Sequence, residues 1–224
     1  MSTTFSPATW GFLARLAAAN TKATFDAERA TYRAEVVEPS GAYVERMAEV
    51  LPEVVHPGLR AEAKVGRSLF RINRDLRFAR DAEPYKTHLD FLFWIGDGAP
   101  RERPACIVRL TSTTVLLGAG RAGVRGEALA RYRSRLDDPD DGARVRRVVA
   151  ALTDGGAELS EPDRVRVPRG FTADHPSAEL LRRDGFHLSQ TRPHPPEIEG
   201  DGFADWCADR LAAYAALLAW LAEG

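Results

Sequence analysis

Lysine is nearly missing from this chain, with three residues against 28 arginines. Coding-sequence composition alone can produce such a bias, so a single arginine says less here than it usually does. Cysteine is as scarce. Cys106 and Cys207 fall in separate segments, which excludes a disulfide framework or a Cys-based zinc motif and fits a reduced, cytoplasmic protein. No apolar run is long enough to span a bilayer, because the longest, "LAAYAALLAWLAEG", is short and amphipathic. The start, "MSTTFSPATWGFLARLAAAN", lacks a basic segment followed by an apolar one and is not expected to be a signal peptide. There is no Gly/Ser/Pro linker, so one domain over 1–224 is expected. Net charge is also nearly absent, at −1. Without a whole-protein positive field, nucleic acid is not an expected partner.

Chemical motifs are few. His56, His88, His175, His187 and His194 show no H-E-x-x-H or paired Cys/His spacing. Such scattered histidines read as structural or exposed, and no metal is expected. Neither a G-x-S-x-G elbow nor a Walker loop is present. "GAGRAG", Gly118 to Gly123, is formally G-x-G-x-x-G. The strand before it reads as half of a hairpin and no ribose-binding acid follows, so it reads as a glycine turn near a pocket. No cofactor is expected.

What is present is a globular composition, 44% hydrophobic and 28% charged. Ser6 and Pro7 open a first helix, with Trp10, Phe12, Leu13 and Leu16 facing inward. A second helix is predicted over about 22–37, and a third starts at Pro39 and is ended by Pro52 and "HPG" at 56–58. Short β-rich runs follow: "HLDFLFWIGDG", then "PACIVRL" and "TTVLLGAG" as an antiparallel hairpin. "EALARYRSRL" and "GARVRRVVAAL" return to helix across "DDPDD" at 137–141, read as a solvated turn. "DRVRVP" and "FHLSQTRPH" are strand candidates around a short helix, "HPSAELLRR". Phe203, Trp206, Cys207, Leu211, Tyr214, Leu217, Leu218 and Leu221 fall at helical spacing, which predicts one long closing helix with a buried stripe. Strands without βαβ alternation argue α+β, with a mainly antiparallel sheet and helices packed around it.

One stretch concentrates charge. From Lys64 to His88 there are seven Lys/Arg against three acids, a local +4 in a chain that is otherwise acidic. Within it Val65, Leu69, Ile72, Leu76 and Ala79 fit a helix stripe, but two Phe residues off that stripe favour a strand over about 68–73 running into a loop through "RINRDLRFARDAEPYKTH" (Arg71 to His88). Arg71, Asn73, Asp75 and Arg77 then point to one side. Arginine forks suit carboxylate or phosphate, and Asp75 or Asp81 can hold them in place. The alternative is an Arg/Asp network that pins a loop and binds nothing.

The same stretch resembles the signature of a bacterial conserved hypothetical family known as domain of unknown function 2461. Arg71, Arg74, Asp75, Arg77, Phe78, Asp81, Pro84, Tyr85 and Lys86 match its pattern. "FLARLAAANTKATFDAERATY", the Gly-rich turn before "ALARYRSRL", and "VPRGFTADHPSAELLRRDGF" are similar too. The chain departs at Ala82, where the family commonly has Lys, and at Thr24, where it often has Trp. The resemblance implies a fold and a site but no reaction.

From the residues and the resemblance together, a small ligand bearing phosphate or carboxylate is the expected partner. Arg71, Arg74, Arg77 and Lys86 are its binding residues, and Arg169 of "PRGF" is a further fork. Asp75 and Tyr85 are the proton-transfer candidates if the protein turns its ligand over. A non-catalytic interaction module is the alternative.

Overall fold

The computed structural model describes residues 4–75 and 83–224. Helix α1 (Pro7–Ala18) begins as its sequence dictates: the Ser6 side chain accepts from Ala8 N, and the Thr9 hydroxyl accepts from Ser6 N. The predicted second helix is interrupted at Glu28. Helix α2 (Lys22–Ala27) stops there, and α3 (Arg29–Tyr32) runs through a π-turn (Arg33–Val37) into α4 (Glu38–Val54). Pro39 therefore does not start a new helix. It has no N–H to offer the Glu35 carbonyl, and the buried Thr9 hydroxyl donates to that carbonyl instead, at 2.6 Å. Pro52 sits inside the last turn of α4, which ends two residues beyond it.

Among the described residues six strands form one antiparallel sheet in the order β1-β2-β3-β4-β6-β5. They are β1 (Leu59–Arg60), β2 (Leu89–Ile95), β3 (Ala105–Leu110), β4 (Thr114–Arg121), β5 (Glu158–Leu159) and β6 (Phe186–Pro193). The hairpin of β3 and β4 is the predicted one. "DRVRVP" is not a strand. It lies in an irregular segment where Arg164 and Arg133 pair with Asp184, and β5 takes the sheet edge.

Alternation splits the sheet into two faces. Leu89, Phe91 and Phe93 of β2, Cys106, Val108 and Leu110 of β3, and Val115 and Leu117 of β4 are buried in one core cluster with α1, α4 and the C-terminal helices. Asp90, Leu92 and Trp94, opposite Arg109, Ile107 and Ala105, belong to the other face. Helices α5 (Gly126–Asp137) and α6 (Pro139–Asp154) pack on each other. The "DDPDD" turn is tighter than expected: Asp138 alone joins them, capping α6 by accepting from Asp140 N and Asp141 N, while Asp141 pairs with Arg135.

The closing segment is two helices, α8 (Phe203–Leu211) and α9 (Ala215–Ala222), tightened between them by a 3-10 turn (Ala212–Tyr214), after the four-residue α7 (Ala178–Leu181). Its predicted stripe is buried: Leu211, Leu217 and Leu218 are sealed in the core, with Trp206 and Tyr214 close to it. The chain is one α+β domain built on an antiparallel sheet. No helix among the described residues is long and apolar enough to cross a membrane.

Candidate functional site

The described part of the charged stretch forms an arm laid along the outer edge of β2, not a strand of the sheet. Two segments share that edge. Leu59 and Arg60 pair with Ile95 and Trp94. Further along, Leu92 N donates to Ser68 O at 3.0 Å and Phe70 N to Asp90 O at 3.3 Å. Among the described residues isolated bridges join the arm, Leu69 to Phe91, Asn73 to Tyr85 and Val65 to Leu69, and no ladder develops. The returning limb closes on it through Lys86 N to Ile72 O (2.7 Å) and Arg74 N to Pro84 O (2.9 Å).

Ile72 is buried and anchors the arm, which leaves Arg71 and Asn73 on its exposed side. Arg71, Asn73, Arg74, Asp75 and Lys86 line an open cleft of about 820 Å³, together with Gly66, Phe70 and Arg101. Arg77 and Asp81 lie outside the described residues. Four cationic side chains and one carboxylate thus face one space. No carboxylate among the described residues pairs with Arg71 or Arg101. Arg101 and Lys86 instead approach the ring of Phe70, at 4.6 and 4.9 Å from its centroid.

Two of the candidates named from the sequence have other placements. Tyr85 is buried, its ring stacked on Phe25 with centroids 4.4 Å apart. Its backbone is clamped by Asn20, which accepts from Tyr85 N and donates to Tyr85 O. Tyr85 is a core residue behind the cleft and does not line it. Arg169 is exposed on the loop before α7. That loop packs against the end of α5, where Ser177 donates to Leu136 O and His175 meets Asp137 at 3.1 Å. The structure does not bring Arg169 to the cleft.

Beneath the cleft lies a group that sequence reasoning passed over. Asp90 has a buried carboxylate on the outer face of β2. Arg109 grips it with two donors, Nε at 2.6 Å and Nη2 at 3.3 Å. Lys86 Nζ stands at 3.1 Å and His88 Nε2 at 3.3 Å. Burial alone would raise the Asp90 carboxyl. The hydrogen bonds and charges of His88 and Arg109 overcome it and hold the group well below the usual carboxylate range. Asp90 therefore fixes Lys86 at the cleft wall while compensating only part of the positive charge around it. The signal was present in the sequence, as one acid in "LDFLFWI" and one arginine in "ACIVRL", each alone in an apolar strand.

"GAGRAG" is strand up to Arg121, with Ala122 and Gly123 past the end of β4. Gly118 and Gly120 lie inside β4, paired on both sides. A Cβ on Gly120 would stand 2.3 Å from Phe186 O, and one on Gly118 would stand 2.6 Å from Leu188 O. The glycines are there so that β6 can approach. Among the described residues, no group of three or more His, Cys, Asp or Glu is placed to hold a metal ion.

The cleft supplies cationic donors, an aromatic wall and one carboxylate at its edge, an arrangement suited to an oxyanion. No curated protein matches the chain. A family model does, over residues 8–220, and the chain belongs to the family described as Conserved hypothetical protein (DUF2461).

Proposed function

We propose that the protein binds a small ligand bearing phosphate or carboxylate in the cleft between the arm and the sheet. The observation that carries this reading is the gathering of Arg71, Arg74, Lys86 and Arg101 around one open space that holds a single carboxylate among its described residues. Like charges so placed repel one another unless an anion joins them. Arg71 and Arg101 supply the forks, Lys86 a point charge held by Asp90, and Asn73 a neutral amide for orientation. Asp75 is the proton-transfer candidate if the ligand is turned over. Tyr85 drops out of that role because its ring is committed to Phe25.

A second reading, a non-catalytic module, rests on Arg74. Its Nε donates to Tyr85 O at 3.1 Å and helps close the arm, so part of the motif is architectural. Thermal-shift measurements with inorganic phosphate and a panel of phosphorylated and carboxylated metabolites separate the two. A ligand at 100 times its Kd stabilises by about 2.7 kcal/mol, a rise of roughly 5–10 °C for a chain this size. Binding that survives Arg71→Ala unchanged, or no binding by any member of the panel, supports the module.

A further inference from the structure

The cleft does not end at Phe70. Phe70 and Arg101 also line a second space, a groove of about 380 Å³ lying on the outer face of the sheet. Its floor follows from the strand register. Leu92, Ile107, Gly118 and Ser189 form one cross-strand row, and Trp94, Ala105, Gly120 and His187 form the next. From these rows Leu92, Ile107, Ala105, Gly120, His187 and Ser189 line the groove, so its floor is low and largely apolar. Arg103, Arg109 and Arg121 stand around it, and among the described residues no Asp or Glu lines it.

These arginines differ in how well they are neutralised. Arg109 is spent on Asp90. Arg103 is exposed and pairs with no carboxylate among the described residues. Arg121 is half-buried; its guanidinium donates to Glu102 O at 3.0 Å and to an oxygen of Gly224, the last residue, at 3.5 Å, and no Asp or Glu side chain among the described residues pairs with it. Burial first, and then the charge of Arg103, lower Arg121 from its ordinary value. A cation held in that position is stabilised by an incoming anion.

We propose that the ligand is an amphipathic dianion. One anionic group sits among Arg71, Arg74 and Lys86, a planar or apolar body crosses Phe70 onto the sheet, and a second anionic group meets Arg103 and Arg121. This rests on the reading above and deepens it, because the cleft fixes the first charge and the groove fixes the body and the second. Two cationic ends separated by an apolar floor discriminate against a ligand charged at one end only. The second end is worth about tenfold in affinity, the scale of one charge-assisted hydrogen-bond pair near a surface.

The test uses calorimetry with inorganic phosphate, a series of linear dicarboxylates from succinate to dodecanedioate, and monocarboxylates of matched length. Parent protein, Arg71→Ala and Arg103→Ala are compared, with Arg103→Gln as a second groove variant should the first lose its fold. The expected result is that one dicarboxylate length binds at least about tenfold tighter than its monocarboxylate. Arg103→Ala brings the two within about twofold while leaving phosphate binding intact. If phosphate binds through Arg71 but dicarboxylates gain nothing over monocarboxylates, the dianion inference is overturned and the cleft reading stands. Absence of phosphate and carboxylate binding altogether overturns both. A single-stranded oligonucleotide that binds tighter than every dicarboxylate, and loses affinity in Arg103→Ala, also overturns the inference, since the groove would then follow a polymer backbone.

Discussion

Asp90 shows how much one residue can organise. Its carboxylate is nearly sealed from solvent, 4% exposed as a side chain, yet it faces Arg109, Lys86 and His88. Asp90→Asn keeps the shape and removes the charge, and is expected to cost about 2–3 kcal/mol, since hydrogen bonds to a charged group in a buried pair are lost together. Chemical denaturation at pH 7 measures it. The pH dependence has a definite sign. A carboxyl whose folded value is depressed contributes stability that is complete above its unfolded value, near 4, and is lost as pH falls below that toward the folded value. The parent should therefore lose stability more steeply than Asp90→Asn as pH drops from about 5 to 2. Parallel curves would show that Asp90 is not the group responsible.

At the level of elements, the readings that succeeded rest on periodicity backed by burial. Leu211, Leu217 and Leu218 were legible because one face of a helix must be apolar to pack on a sheet. Leu211→Ala should cost roughly 2–5 kcal/mol, seen as a lowered Tm, and an unchanged Tm would remove Leu211 from the core. The β3–β4 hairpin was legible for the same reason. What escaped was set by partners distant in sequence. The helix continues through Pro39 because Thr9 supplies the missing donor. The arm fails to become a strand because its pairing to β2 amounts to two hydrogen bonds and a single bridge. Gly118 and Gly120 read as part of a glycine turn because a motif records composition and not pairing. Gly120→Ala tests their role, since its Cβ has no room against Phe186 O and His187. A loss of about 1–3 kcal/mol is expected, with the spectroscopic β-content retained at low temperature. A neutral substitution would mean that β6 does not approach as closely as described.

Over the whole molecule, a chain with net charge −1 brings seven cationic side chains, Arg71, Arg74, Lys86, Arg101, Arg103, Arg109 and Arg121, around the cleft and the groove beside one sheet. The motif Arg71–Lys86 pointed there, because Arg71, Arg74 and Lys86 share a short segment. Arg101, Arg103 and Arg121 did not, because only the fold carries the β2–β3 connection and the end of β4 to the same place. Electrostatic capture in an open cleft weakens with ionic strength, so binding of any anion there should fall steeply between about 0.05 and 0.5 M salt. Salt-independent binding would instead indicate an apolar contact. The most direct measurement is calorimetric titration of inorganic phosphate into the parent and Arg71→Ala. Arg71 is the suitable position because it is exposed on the arm and makes no hydrogen bond with the described residues that its loss would break. Saturable binding to the parent, weakened at least about tenfold in a variant of unchanged Tm, is the predicted result. Equal binding by the two proteins would contradict the account, because the phosphate would then sit somewhere other than the cleft.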